Sequence, residues 1–167
     1  MFDWQAQSVQ RAIRPLTESL VASTPLILAG LGIALGFRSG LFNIGGQGQV
    51  ILGAIFAGFF GYFLTLPVGV HMIVALLAGI VGGAIWGGIA GYLKARTGAN
   101  EVNVTIMLNS IAGYLIAYLL KQAWFRQTDS GNPQSRTVDE AASLLPLLPD
   151  PFRLNAGFLI AVLATVF

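Results

Sequence analysis

The chain has 167 residues, of which 55% are hydrophobic and only 10% are charged, and its mean hydropathy is +0.74. A soluble domain of this size needs a polar surface that so few charges cannot cover, so an ordinary soluble globule is excluded. The formal charge of +2 is scattered over several connections and forms no basic patch, which argues against nucleic acid as a partner.

Zero cysteines remove disulfides, thiolate nucleophiles and thiolate-bound metals together. Twenty-one glycines in an apolar background, with no Gly-X-Y period, exclude both a coiled coil and collagen. No Asp, Glu, Lys or Arg occurs between Ser39 and Leu93, a stretch too long for one buried helix and suited to a lipid environment. The predicted fold class is all-α, a polytopic transmembrane helix bundle.

Residues 1–19 carry Asp3, Arg11, Arg14 and Glu18 with no apolar block, and read as an extramembrane N-terminal segment rather than a cleaved leader. A core at 20–120 follows, with predicted spans at Leu20–Phe37, Val50–Leu66, Val70–Leu93 and Val102–Leu120, each near the ~20 helical residues that hydrocarbon requires. Residues 121–155 are polar and proline-containing, an expected extramembrane loop with a short interfacial helix around Val138–Leu145. The apolar run Leu154–Phe167 is too short to span and is expected to be the start of a fifth helix, at about 156–167, in a sequence cut off inside it.

Between the first two spans lies Arg38-Ser-Gly-Leu-Phe-Asn-Ile-Gly-Gly-Gln-Gly-Gln49, rich in glycine and free of acidic residues. Such a segment is either a broken, re-entrant backbone covered by protein or an ordinary interfacial loop. In the third span Gly79, Gly83, Gly87 and Gly91 recur at every fourth position, and the second carries a weaker version in Gly53, Ala57 and Gly61. A stripe without side chains lets another helix approach closely, which in lipid gains dispersion contacts. A packing role with the third span central is expected.

The passage from Lys94 to Ser110 keeps polar residues well into the fourth span. At 100° per residue, Asn103 and Ser110 share one face and Thr105 and Asn109 a roughly opposite one. The helix is therefore enclosed by protein, broken near its start, or bordered by water. Uncharged amides there serve either interhelical hydrogen bonding or contact with a neutral polyhydroxylated solute. Glu101 reads as a charge favoured at a helix N-terminus, and His71, the only histidine, as an interfacial residue. No zinc-protease, nucleophile-elbow or phosphate-loop motif is present, so neither catalysis by the chain nor a cofactor or metal is expected.

Gly40-Leu-Phe-Asn-Ile-Gly-Gly-Gln-Gly-Gln49 and Gly98-Ala-Asn-Glu-Val-Asn-Val-Thr-Ile-Met-Leu-Asn109, in this order, resemble paired signatures of bacterial ABC importer permeases of the branched-chain amino acid and simple-sugar superfamily, in its nucleoside and simple-sugar branch. The resemblance runs from about Leu20 to Leu120. The family usually carries Glu where this chain has Gln47, and often Tyr where it has Ser110. The resemblance implies a permease subunit, apparently a fragment, that moves a nucleoside or simple sugar across the bacterial inner membrane. It also implies ABC ATPase subunits, a second permease subunit and an extracytoplasmic solute-binding protein as partners.

Charge counting leaves orientation open; the resemblance places residues 1–19 and 121–155 outside and the Arg38 and Lys94–Arg96 connections inside. Asn43, Gln47, Gln49, Asn103, Thr105 and Asn109 are the expected substrate-pathway residues, and Gly79, Gly83, Gly87 and Gly91 the expected helix-packing residues. The competing classes are a stand-alone oligomeric channel or secondary transporter, disfavoured by spans without ionisable groups, and a non-transporting membrane assembly protein.

Overall fold

The structure, a computed structural model, describes residues 4–127, 132–147 and 152–166. Parts of the expected segments 1–19, 121–155 and 156–167 therefore lie outside the described residues. Among the described residues five α-helices run in chain order: α1 (Trp4–Arg38), α2 (Gly46–Phe63), α3 (Val70–Thr97), α4 (Glu101–Leu119) and α5 (Gly157–Ala164). Among the described residues there are no strands beyond two isolated bridges. Ala12–Arg38 of α1, together with α3 and α4, is long and apolar enough to cross a membrane. Helices α2 and α5 coincide with the other two apolar runs, giving the all-α membrane bundle that the hydropathy pattern predicts.

The chain divides into two compact units, Ile33–Ser143 and Met1–Gly32 with Leu144–Phe167. In the smaller unit, α1 carries Pro15 and Pro25 inside the helix. Each proline deprives a carbonyl one turn back of its donor. Hydroxyls around the prolines turn back onto the helix: Ser19 Oγ donates to Pro15 O at 2.8 Å and Thr24 Oγ1 to Leu20 O at 3.0 Å. Helix α5 starts under the Asn155 carboxamide, whose Oδ1 accepts from Gly157 N at 3.1 Å. It buries Gly157 and Ala161.

The larger unit opens on the end of α1. Leu41 N donates to Gly36 O at 2.9 Å and Gly40 N to Phe37 O at 3.1 Å, with Gly40 at φ 76°. This is a left-handed helix stop that only glycine adopts without strain. Ser39–Gly45 is then irregular before α2 begins. Helix α3 ends on Gly98 at φ 64°, and α4 starts immediately beyond it, because Asn100 Oδ1 accepts from Val102 N at 3.0 Å and Asn103 N at 3.4 Å. Helix α4 is unbroken, so the interruption allowed for at its start falls in Ser39–Gly45 instead.

Helices α2 and α3 make the main contact of this unit, α4 packs on both, and α3 also meets the Glu140–Ala142 turn. The side of α3 turned away from these contacts presents Ile73, Leu77, Ile80 and Ile85 outward. On the packed face, a Cβ at Gly53 would lie 3.0 Å from Gly79 O, and one at Gly79 would lie 3.4 Å from Gly53 O and from Ala57 Cβ. Gly83 faces Gln49 O at 3.4 Å by the same measure.

Gly91 does not share this contact, because a Cβ there would meet nothing within 4 Å. The tightest approach to backbone is instead at Gly82, where a Cβ would stand 2.8 Å from both Leu52 O and the Phe56 ring. The four-residue spacing does not single out that position. Gly61 of α2 packs under Val138 of the following loop, not against α3.

His71, the second residue of α3, is fully buried, with Nε2 3.2 Å from Phe60 O near the end of α2. The loop after α4 pairs Arg126 with Ser135. Asp139 N in that loop then bonds Gly61 O at 3.1 Å, ahead of a single 3-10 turn at Glu140–Ala142, shorter than the predicted Val138–Leu145 helix.

Replacing Gly82 with Ala should destabilise the protein by about 1–3 kcal/mol, because Leu52 O is backbone and cannot turn aside. Gly91→Ala should be neutral or stabilising by about 0.5–1 kcal/mol through helix propensity. Thermal unfolding in detergent, read for both variants in parallel, checks the ranking.

Candidate translocation site

The irregular stretch before α2 exposes backbone donors and acceptors that a regular helix would satisfy internally, and each needs a partner. Asn43 supplies the first: its Oδ1 accepts from Gly45 N at 2.7 Å in a local turn. Gly45 is buried against Thr105, whose Cβ would stand 3.2 Å from a Cβ at position 45. Thr105 is 1% exposed, and its hydroxyl turns back to Val102 O at 3.1 Å, leaving its methyl group for this contact.

Asn109, on α4, completes the start of α2 from a different helix. Its Oδ1 accepts from Gly48 N at 2.8 Å, and its Nδ2 donates to Ile44 O at 3.1 Å. Gly45 makes no side-chain cap on α2, so a side chain sixty-one residues away does the work of a local N-cap. Both ends of one carboxamide are used, which also fixes which end is oxygen and which is nitrogen.

Gln49 lies beside the same cluster, half-buried against α3. Its Nε2 would stand 2.7 Å from a Cβ at position 87, so Gly87 makes room for an amide rather than for a backbone. Asn43, Gln49 and Thr105, with Gly45, Trp86, Gly87, Ala90 and Leu108, line a narrow cleft with no room for a water molecule.

The two remaining sequence-predicted pathway residues stand apart. Gln47, in the first turn of α2, and Asn103, in the first turn of α4, are both exposed. The division matches the two faces seen in the sequence: Thr105 and Asn109 point into the unit, while Asn103 and Ser110 point out of it together with Met107 and Tyr114.

Three further features lie beyond the sequence-predicted site residues. Trp86 Nε1 is buried without a hydrogen-bond partner among the described residues, and would stand 2.7 Å from a Cβ at Gly48. An indole in mid-helix among glycines is the signal that could have found it, since a buried N–H requires an acceptor or a tight seat. Lys94 and Glu101 form an ion pair of 2.6 Å across the α3–α4 turn. Near the end of α2, Phe59, Tyr62, Phe63, Trp124 and Arg136 border an aromatic cavity of about 320 Å³. Arg136 lies over the Tyr62 ring and donates to its hydroxyl.

The fold and this site define a multi-pass membrane helix protein with an enclosed amide cluster at a helix interruption. Residues 16–167 match the family described as branched-chain amino acid transport system permease component, and the chain belongs to it. It is 39% identical over 161 residues to a glucose ABC transporter permease protein of Haloferax volcanii, covering 90% of this chain and 42% of that relative. It is 36% identical over 149 residues to a guanosine ABC transporter permease protein of Bacillus subtilis, covering 89% of this chain and 43% of the relative. A nucleoside ABC transporter permease protein of Lactococcus lactis is 33% identical over 160 residues, covering 92% of this chain and 44% of the relative. The chain thus spans less than half the length of the curated relatives it matches. No solved structure matches it significantly.

Replacing Asn109 with Leu should leave Gly48 N and Ile44 O without partners and destabilise the protein by about 1–3 kcal/mol per group. Asn109→Asp should fall between the two, because it keeps the acceptor for Gly48 N and loses the donor to Ile44 O. Thermal unfolding midpoints of the three proteins check the order.

Proposed function

We propose that the chain is a transmembrane permease subunit of an ABC importer, moving a nucleoside or simple sugar across the bacterial inner membrane. Membership of the permease family and similarity to the glucose, guanosine and nucleoside permeases support this reading. The observation that carries it is the Asn109 carboxamide holding the irregular Ile44–Gly48 backbone beside Gln49 and Asn43. Neutral amides both donate and accept, so they can exchange partners with sugar hydroxyls or base edges as the cleft opens, without a counter-ion.

In this reading Asn43, Gln49, Thr105 and Asn109 form the part of the pathway that is shut. Gln47 and Asn103, exposed on this chain, face the second permease subunit across the pathway. ATP hydrolysis belongs to separate ABC ATPase subunits, and an extracytoplasmic solute-binding protein delivers the solute. The Arg38 and Lys94–Arg96 connections lie on the cytoplasmic side.

Alanine at each of the six positions, expressed with the partner subunits, should lower uptake of labelled guanosine or glucose by about tenfold or more where the amide contacts solute, equivalent to about 1.4 kcal/mol. Membrane insertion should be unchanged. Parental uptake of both solutes in all six variants would remove the proposal.

A further inference from the structure

At the end of the larger unit where the short connections meet, four groups converge on two charges. Lys94 Nζ donates to Glu101 Oε1 at 2.6 Å and to Gly40 O at 2.9 Å. The same carboxylate oxygen accepts from Phe42 N at 3.4 Å. Gly40 O and Phe42 N are backbone groups of the irregular stretch, and the glycine stop of α1 uses Gly40 N but neither of them. The pair is half-sheltered, with side chains 34% and 18% exposed. Glu101 is the only acidic residue near this turn, while Arg38 and Arg96 are exposed cations.

Two grips on one segment follow. Glu101 holds its beginning and Asn109, two turns further along α4, holds its end at Ile44 and Gly48. The segment and α4 are thereby joined at both ends, whereas Lys94 belongs to α3. The ion pair is the charged link from α3 to that joined body.

We propose that Lys94 and Glu101 are positioning residues: their ion pair sets the placement of the Gly40–Gly48 segment against α3, and through it the stance of the Asn43, Gln49 and Asn109 amides. Neither residue touches solute. The inference rests on the reading of those amides as a transport pathway, but its geometric half stands without it. Exposed ion pairs contribute little to stability on their own, so removal of one charge should leave a folded protein with a displaced segment.

The test uses the chain in its native membrane with its partner subunits, and exploits the lack of cysteines. Leu41→Cys supplies one maleimide-reactive site in the segment. In that background Glu101→Gln and Lys94→Gln should each speed labelling by about fivefold or more, as a held segment is released. They should lower the maximal uptake rate by about fivefold with half-saturation little changed, since positioning and not solute contact is lost. Lys94→Arg, which keeps the charge, should stay close to the parent in both. Parental labelling in both Gln variants overturns the proposal, whatever uptake does. Faster labelling with parental uptake also overturns it, by separating the segment from transport. Faster labelling in a parent that transports neither guanosine nor glucose upholds the ion pair's hold and overturns the transport reading. If Glu101→Gln fails to accumulate, the swapped pair Lys94→Glu with Glu101→Lys decides: recovered protein with parental labelling supports the pairing, and no recovery overturns it.

Discussion

A backbone N–H or C=O without a partner is costly wherever water is excluded, and the larger unit is organised around that constraint at one place, the irregular backbone between α1 and α2. A regular helix satisfies its own amides; Ser39–Gly45 and the first turn of α2 cannot. Their partners come from the Asn43 side chain locally and from Asn109 on α4 at a distance. Without the Asn109 carboxamide, the start of α2 would carry an unmet donor and acceptor, and α4 would lose its polar tie to the segment. The relation of α4 to α2 is thus set by hydrogen bonding as much as by packing.

Packing does the rest, and it does so through what is missing. Between α2 and α3 the contacts at Gly53, Gly79 and Gly82 bring backbone within van der Waals reach of backbone or ring. In lipid, apolar side chains gain nothing by leaving one hydrocarbon for another, so close approach and dispersion replace the hydrophobic effect as the source of adhesion. The large apolar side chains accordingly point outward, Leu26, Ile80 and Met107 among them. The interior of this unit is rich in glycine, alanine and threonine, with Leu52, Leu108 and His71 buried among them.

The spans were legible because hydropathy reports the solvent directly: each predicted apolar run contains a helix. The two faces of α4 were legible as well, because 100° per residue separates Asn109 from Asn103 without any tertiary information. What the pattern did not reveal is which face meets which neighbour. Spacing selected Gly91 and passed over Gly82, because a repeat of four drifts around a helix of 3.6 residues per turn and the real contact follows the helix crossing. His71 sat at the head of an apolar run and read as interfacial; its burial depends on α2 ending beside it, with Phe60 O as its partner. Glu101 looked like a helix-end charge, and the Lys94 ammonium that holds it became visible only when the α3–α4 turn closed on Gly98.

The two-handed use of Asn109 restricts that position in an unusual way. A carbonyl at one side and an N–H at the other demand a group that is donor and acceptor at once, on a stem of one methylene. Aspartate lacks the hydrogen, leucine lacks both polarities, and glutamine carries the right head on a longer tether. Serine and threonine join both roles in one oxygen of shorter reach, so the slot selects a carboxamide of this length, fixed by two peptide groups at the entry to α2.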